Sequence, residues 1–389
     1  MSAASAAINE QVVLDLLADL VRIDSVNPLL VPGAAGESAI ARYVAARLED
    51  MRLVVETHEV TPGRPNVLGR LCGSGGGRCL MLNAHLDTVG VAGMSIPPFE
   101  PRIADGRLYG RGSGDTKAGL AAMICAIASV EVSCLPLRGD VLLTAVMDEE
   151  YSSLGTEHVV RTERADGCIV AEDTALNLMI AHQGFAWYEI ETIGRAAHGM
   201  HPEQGIDAIA KMGSVLGRLD QLKREVISKD VHPLAGQAVF HNGVITGGSE
   251  PSMYPAQCSL QIEIGCNPGH TMAGRRAEID ALLADLAAAD PEFQARVITH
   301  VERQPFNGDA HAAIVQTLGA CVEEVTGVKA QLIGANAWMD AALLQDAGIP
   351  TVVFGPHGGG YHAAIEWVEV EQVVAAARIL AETIAQFCA

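Results

Sequence analysis

Apolar residues recur at helical spacing over Ile8–Ile23 and again over Ser38–Met51, which predicts two amphipathic helices. Short β-like runs follow at Leu53–Val60, Asn66–Leu71 and Cys79–Ala84. The glycine run Gly73–Gly77 between the last two reads as a turn, because no GK[ST] follows to make it a phosphate loop. Lys117–Val130 is Ala-rich and apolar all round, as a buried helix would be. Asp140–Met147 and Cys168–Ala171 read as buried strands. Strands alternating with helices predict an α/β domain with a mostly parallel sheet.

The pattern then changes. Ala186–Ile193 alternates, Gly205–Lys223 is helical, Val239–Thr246 and Ser259–Ile264 are strand-like, Thr271–Ala289 is helical, and Val297–Val301 is strand-like. This β-α-β-β-α-β order predicts an inserted split-βαβ (ferredoxin-like, α+β) unit at 181–301. After Pro305 the α/β pattern resumes with helix Ala310–Val325, strands Gln331–Ile333 and Thr351–Phe354, and helix Val368–Phe387. The first domain is therefore expected to be discontinuous, 1–180 and 302–389.

Composition narrows the function classes. The chain has 389 residues and a net charge of −21, with 49% hydrophobic and 19% charged residues. That is globular composition, and long enough for two domains without disulfide staples. The acidic balance argues against a nucleic-acid partner and against an anionic membrane surface. No apolar run reaches the roughly 18 residues of a spanning helix. Met1–Glu10 has neither a basic nor an apolar leader region, so no secretory signal is expected. Nine cysteines without a CxxC fit reduced thiols, and hence a cytoplasmic location.

Chemistry gathers where strands end. His85-Leu-Asp87 follows a predicted strand. It is either a structural pair or a metal ligand with a carboxylate to fix its tautomer. The glycine-dense stretch Gly110–Gly119 places Asp115 before a helix, as its N-cap or against a cation. Asp148-Glu149-Glu150 ends another strand, as a solvated turn or as acids neutralised by metal. Glu172-Asp173 and Gly355–His362 end two more. Five such ends with His or carboxylate groups suit two divalent ions, zinc first and cobalt or manganese also, with one carboxylate bridging.

On these residues the sequence resembles the co-catalytic zinc family of acetylornithine deacetylase, succinyl-diaminopimelate desuccinylase and glutamate carboxypeptidase. The family's HxD matches His85–Asp87. Its GRGxxDxKgG matches Gly110–Gly119, with Ala118 in place of one glycine. Its acidic pair matches Glu149-Glu150, its ligand carboxylate Glu172, and its C-terminal ligand His362. The resemblance implies a zinc-exopeptidase-like catalytic domain with a lid and dimerisation domain, hence a homodimer. It implies His85 and Glu172 on one metal, Glu150 and His362 on the other, and Asp115 between them. It further implies Glu149 as general base, Asp87 as the residue that orients His85, and His198 as the group that polarises the scissile carbonyl of a neighbouring subunit.

The activity implied is hydrolysis of an amide, in an N-acyl amino acid or a small peptide-like substrate. An aminohydrolase releasing ammonia and a non-catalytic binding protein on the same fold are the alternatives. Two departures bear on substrate. Relatives carry an Arg shortly before Pro-Gly, where Gly265 stands here, so the usual carboxylate clamp is missing. Asn336-Ala-Trp338 replaces a small Gly/Thr-rich segment; Trp338 either lines an acyl pocket with Asn336 and Gly359 or belongs to the core.

Overall fold

The computed structural model describes residues 2–389; Met1, where the first expected domain begins, lies outside them. In the first stretch of chain the elements are α1 (Ala3–Ala7), α2 (Glu10–Arg22), α3 (Ser38–Asp50), β1 (Val54–Thr61), β2 (Arg64–Leu71), β3 (Leu80–His85), β4 (Arg102–Ala104), β5 (Arg107–Tyr109), α4 (Ala118–Val132), β6 (Val141–Val146), α5 (Leu154–Thr162), β7 (Gly167–Val170) and β8 (Leu178–His182). The middle holds β9 (Gly184–Ile193), α6 (Ala208–Glu225), β10 (Val231–His232), β11 (Gly236–Gln237), β12 (Phe240–Gly247), β13 (Gln257–Cys266), α7 (Met272–Ala289), β14 (Gln294–Arg303) and β15 (Phe306–Asn307). The last stretch holds α8 (Ala313–Thr326), β16 (Leu332–Ala335), α9 (Ala341–Asp346), β17 (Thr351–Val353), β18 (Gly358–Gly359), β19 (Trp367–Glu369) and α10 (Val370–Phe387).

The chain forms two compact units. One comprises the residues up to Ile180 with Gly308–Ile333 and Met339–Ala389; the other comprises Ala181–Asn307 with Gly334–Trp338. In the first, β6, β3, β7 and β17 run parallel in the middle of a mixed sheet, flanked by antiparallel β2 and β1 on one side and β8 on the other. All six residues of β3 and of β6 are buried. Such strands are apolar on both faces, which is why the parallel core reads as continuous hydrophobic runs. Asn83 and His85 are the polar residues of β3, and the Asn83 Nδ2 group donates to the hydroxyls of Thr144 at 3.0 Å and Thr156 at 3.3 Å. Helix α4 is buried on nearly every side, against α2 and α10.

The second unit is a four-stranded antiparallel sheet in the order β12-β13-β9-β14. Its chain order is β9-α6-β12-β13-α7-β14, which is the ferredoxin-like arrangement, with the β10–β11 hairpin added after α6. Tyr188 and Ile190 of β9, Leu260 and Ile262 of β13, Met212 and Val215 of α6 and Ile279 of α7 form its core. No described helix is long and apolar enough to cross a membrane.

The structure departs from the sequence expectation in four places. The expected boundary at 301/302 falls inside β14, and Gly334–Trp338 joins the second unit. Trp338 draws it there: its indole N–H donates to the Gln304 carbonyl at 3.0 Å, and its ring meets Phe185 and His182 edge-on. β4, β5, β18 and β19 form a small antiparallel sheet that no sequence pattern foretells. Only four of the five chemistry-bearing ends therefore belong to strands of the large sheet, because Asp115 follows β5. Helix α4 begins at Ala118, so Asp115 is not its N-cap.

Candidate metal centre

The ends of β3, β6, β7 and β17 lie side by side, and the loops leaving them bring the charged residues together. His85, Asp115 and Glu172 form one triad whose ligand atoms lie within 4.8 Å of one another; Asp115, Glu150 and His362 form a second. Asp115 belongs to both. Its Oδ1 is 3.0 Å from His85 Nε2, and its Oδ2 is 3.2 Å from His362 Nε2. Glu172 Oε1 lies 3.5 Å from His85 Nε2, and Glu150 Oε2 lies 3.1 Å from His362 Nε2.

The turn that carries Asp115 is held from within. Gly112 sits at φ +77°, a left-handed conformation that favours glycine. A Cβ on Gly119 would lie 2.5 Å from the Ala171 methyl, so glycine lets the start of α4 approach the end of β7. Thr116 Oγ1 donates to the Ala171 carbonyl at 2.8 Å. Lys117 is fully buried; its Nζ donates to the Ile23 carbonyl at 2.9 Å, and burial pulls its pKa down to about 7.

Glu366 is the anchor of this turn, and nothing in the sequence pattern marks it. Its buried carboxylate accepts from the backbone N–H groups of Gly112 and Gly114 at 3.0 Å and of Asp115 at 3.1 Å. Arg111 Nη1 donates to it at 2.6 Å. Asp173 plays the matching part for the loop that carries His362. It accepts from the Tyr361 hydroxyl, from His357 Nδ1 at 3.1 Å and from the Gly358 N–H at 3.5 Å.

Asp87 acts differently from the simple expectation. His85 Nδ1 donates to the Asp87 backbone carbonyl at 2.9 Å, while the carboxylate Oδ1 is 3.6 Å away. That carboxylate instead accepts from the N–H groups of Glu149 and Glu150, at 3.1 and 3.2 Å, and from Asn27 at 2.8 Å. It fixes the acidic turn as much as the ring. Asp148, at φ +70°, bends the chain there, and its carboxylate is held by Arg64 at 3.0 Å.

The electrostatics show whether a cation fits. A backbone carbonyl only accepts, so the neutral His85 ring keeps its hydrogen on Nδ1 and turns the Nε2 lone pair toward two carboxylates. Lone pair and carboxylates repel unless a proton or a cation stands between them. Burial pushes the His85 imidazolium down, yet Asp115 and Asp87 outweigh it and hold the ring well above its ordinary value. Asp115, with Glu150, raises His362 to about 10. Burial and the neighbouring acids push Glu149 and Glu172 well above the usual carboxylate range and Glu150 up to about 7. Asp115 itself is held far below that range, against its burial, by the two histidines. Donor separations of 3.0–3.5 Å are those found around one ion at bonds of about 2.0–2.2 Å. The donor set therefore fits a divalent metal in each triad.

The family model for peptidase family M20/M25/M40 matches residues 81–386. The chain belongs to this family. It is 30% identical over 357 residues to an acetylornithine deacetylase of Myxococcus xanthus, spanning 89% of this chain and 91% of that one. It is 28% identical to an N-formyl-4-amino-5-aminomethyl-2-methylpyrimidine deformylase of Bacillus subtilis, over 92% and 91% of the two chains. A tripeptidase from Staphylococcus aureus has the same fold, with a TM-score of 0.80 at 21% identity over 98% and 99% of the chains. So has an M20 family metallo-carboxypeptidase from Sulfolobus solfataricus, at 0.80 and 16% over 96% and 99%. This M20 protein is thus a metal-dependent hydrolase of amide bonds.

The remaining expected residues fall outside the two triads. Glu149 is in neither, although His85, Glu172, Glu150 and Asp340 all act on its charge. Gly359 lies in β18, where a Cβ would press on the Trp367 indole at 2.7 Å. His198, Asn336 and Trp338 belong to the second unit. Asn336 is exposed, and the half-buried Trp338 meets Phe185 and His182 edge-on. His198 is exposed, and its Nδ1 accepts from the Met200 N–H at 3.2 Å. At Gly265 a Cβ would lie 2.9 Å from the Val239 methyl, so that position is closed to a long side chain.

Proposed function

We propose that this M20 enzyme is a dimetal deacylase of N-acyl amines or small peptide-like amides, with Glu149 as its general base. One observation carries the reading: two triads share Asp115, and a fourth acid, Glu149, stands among them without belonging to either. His85 and Glu172 would hold one ion, Glu150 and His362 the other, with Asp115 shared. Two divalent ions, zinc first, would supply the Lewis acidity that polarises the amide carbonyl and makes water a nucleophile near neutral pH.

Glu149 takes the proton of the attacking water and gives it to the leaving nitrogen as the C–N bond breaks. The products are a carboxylate and a free amine. Asp87 keeps the His85 ring turned and the acidic turn in place. With Nδ1 accepting from Met200, the neutral His198 ring carries its hydrogen on Nε2, which is the donor an oxyanion needs. The acetyl and formyl hydrolases among the relatives favour a short acyl group. Closed packing at Gly265 means that any substrate carboxylate is read by another residue.

We further read the second unit as a lid and homodimer contact. Its edge strand β12 is exposed along seven of its eight residues, Val244 and Ile245 each by 53%. Such an edge calls for a cover. Nine free thiols fit the cytoplasm.

The decisive test is a panel of N-formyl, N-acetyl and longer N-acyl amines, with metal analysis, on the wild type and Glu149→Gln. Hydrolysis should fall by about 10²–10⁴ in the variant, with metal retained. Ammonia as the product would favour the aminohydrolase instead, and an equally active variant would remove Glu149 from its role.

A further inference from the structure

Strand β1 and helix α5 bring together two imidazoles that the metal centre does not use. His58 Nδ1 lies 3.2 Å from His158 Nε2, and the rings meet edge-on at 75°. On its other side His58 Nε2 is 2.9 Å from Glu56 Oε2. A carboxylate only accepts, so Glu56 takes the Nε2–H and leaves the Nδ1 lone pair of the neutral ring facing His158. Burial, then His58 and Arg161, holds His158 below the ordinary histidine range, which keeps its ring uncharged.

Two nitrogens 3.2 Å apart are spaced as neighbours on one tetrahedral ion. With metal–nitrogen bonds of about 2.0–2.1 Å, that spacing corresponds to an angle of about 100–106° at the metal. Glu56 adds the carboxylate that orients a metal-bound imidazole from its far nitrogen. The His58 side chain keeps 25% of its exposure, so water has access to complete a coordination shell.

We infer that His58 and His158 form a further metal site on the first unit, separate from the two triads, for one nitrogen-seeking divalent ion. Zinc is the expected occupant, and copper(II) and nickel(II) suit the same donors. Without the ion, His158 donates its Nε2–H to His58. On binding, that hydrogen moves by way of solvent to His158 Nδ1, so no proton is released and nothing is oxidised or reduced. The ion would clip α5 to the outer strand of the large sheet.

The test is zinc uptake by equilibrium dialysis at micromolar free Zn²⁺, comparing the wild type with the double variant His58→Gln/His158→Gln. The wild type should take up one more zinc per chain, and the two should hydrolyse amides at the same rate. Glu56→Gln should weaken that extra ion about 10–100-fold. If the double variant does not fold, carbethoxylation of His158 in the intact wild type, mapped by mass spectrometry, replaces it. Zn²⁺ should then suppress that modification. Equal zinc uptake by a folded double variant, or carbethoxylation indifferent to Zn²⁺, would overturn the site.

Discussion

The two triads share Asp115 and differ in almost everything else. In the first, His85 is a strand residue with 1% of its side chain exposed, and its ring is pinned by a backbone carbonyl two residues away. In the second, His362 is 55% exposed at φ +57° on a glycine-rich loop. That loop is held by residues distant in sequence, Asp173 above all. A ligand built on a packed strand needs little further support, whereas one on a loop is only as well placed as the side chains that clamp it. The same contrast predicts that the ion beside His362 exchanges first.

The strongest way to break this comparison is to remove what the triads share. Asp115→Asn keeps the size of the side chain but removes its charge from both. Metal content should fall by both equivalents and hydrolysis by at least about 10³-fold, given several kcal/mol of lost charge stabilisation. If one ion and measurable activity survived, the carboxylate would not bridge. A sharper version separates the triads. Asp173→Asn should loosen the His362 loop and weaken only that ion, by about 10–100-fold. A chelator time course read by elemental analysis should show one equivalent leaving faster than in the wild type and the other unchanged. Equal loosening of both would mean that Asp173 supports the sheet end as a whole.

Which parts were legible in the sequence follows from how local each is. The parallel core was readable because β3, β6 and β7 are apolar runs whose ends carry acids and histidines, a contradiction that only chemistry resolves. The ferredoxin-like unit was readable from its alternating periods. The β4–β5–β18–β19 sheet was not, since its strands are two or three residues long and β5 meets β19 from the far end of the chain, Leu108 pairing with Val368. Gly334–Trp338 was assigned to the wrong unit because its place depends on the packing of one indole. Glu366 and the anchoring role of Asp173 escaped for a related reason. An acid that caps a distant turn has the same local sequence as one in solvent, and only the fold brings Arg111 or Tyr361 to it.

The smallest effect is a dependence of stability on pH that metal should erase. In the protein stripped of metal, Glu150 has its pKa raised from 4.5 to about 7 by burial and by Asp115. A carboxyl whose folded value is raised favours the fold while it is protonated. That contribution is complete below pH 4.5 and is lost as the pH rises through 7. His362, raised to about 10 chiefly by Asp115, acts in the same direction at higher pH, its contribution being complete below pH 6.5 and lost as the ring deprotonates. A bound cation replaces both protons and needs the ligands deprotonated, so its own contribution grows with pH. The stripped protein should therefore lose thermal stability between pH 5 and pH 7 while the loaded protein does not, and the gap in Tm should widen across that window. Glu150→Gln, which has no proton to lose, should make the stripped profile shallower and leave the share of Glu149 and Glu172, which burial raises in the same direction. A stripped protein that grows more stable from pH 5 to pH 7 would mean that other groups govern the titration, and that the acids of the second triad are solvated.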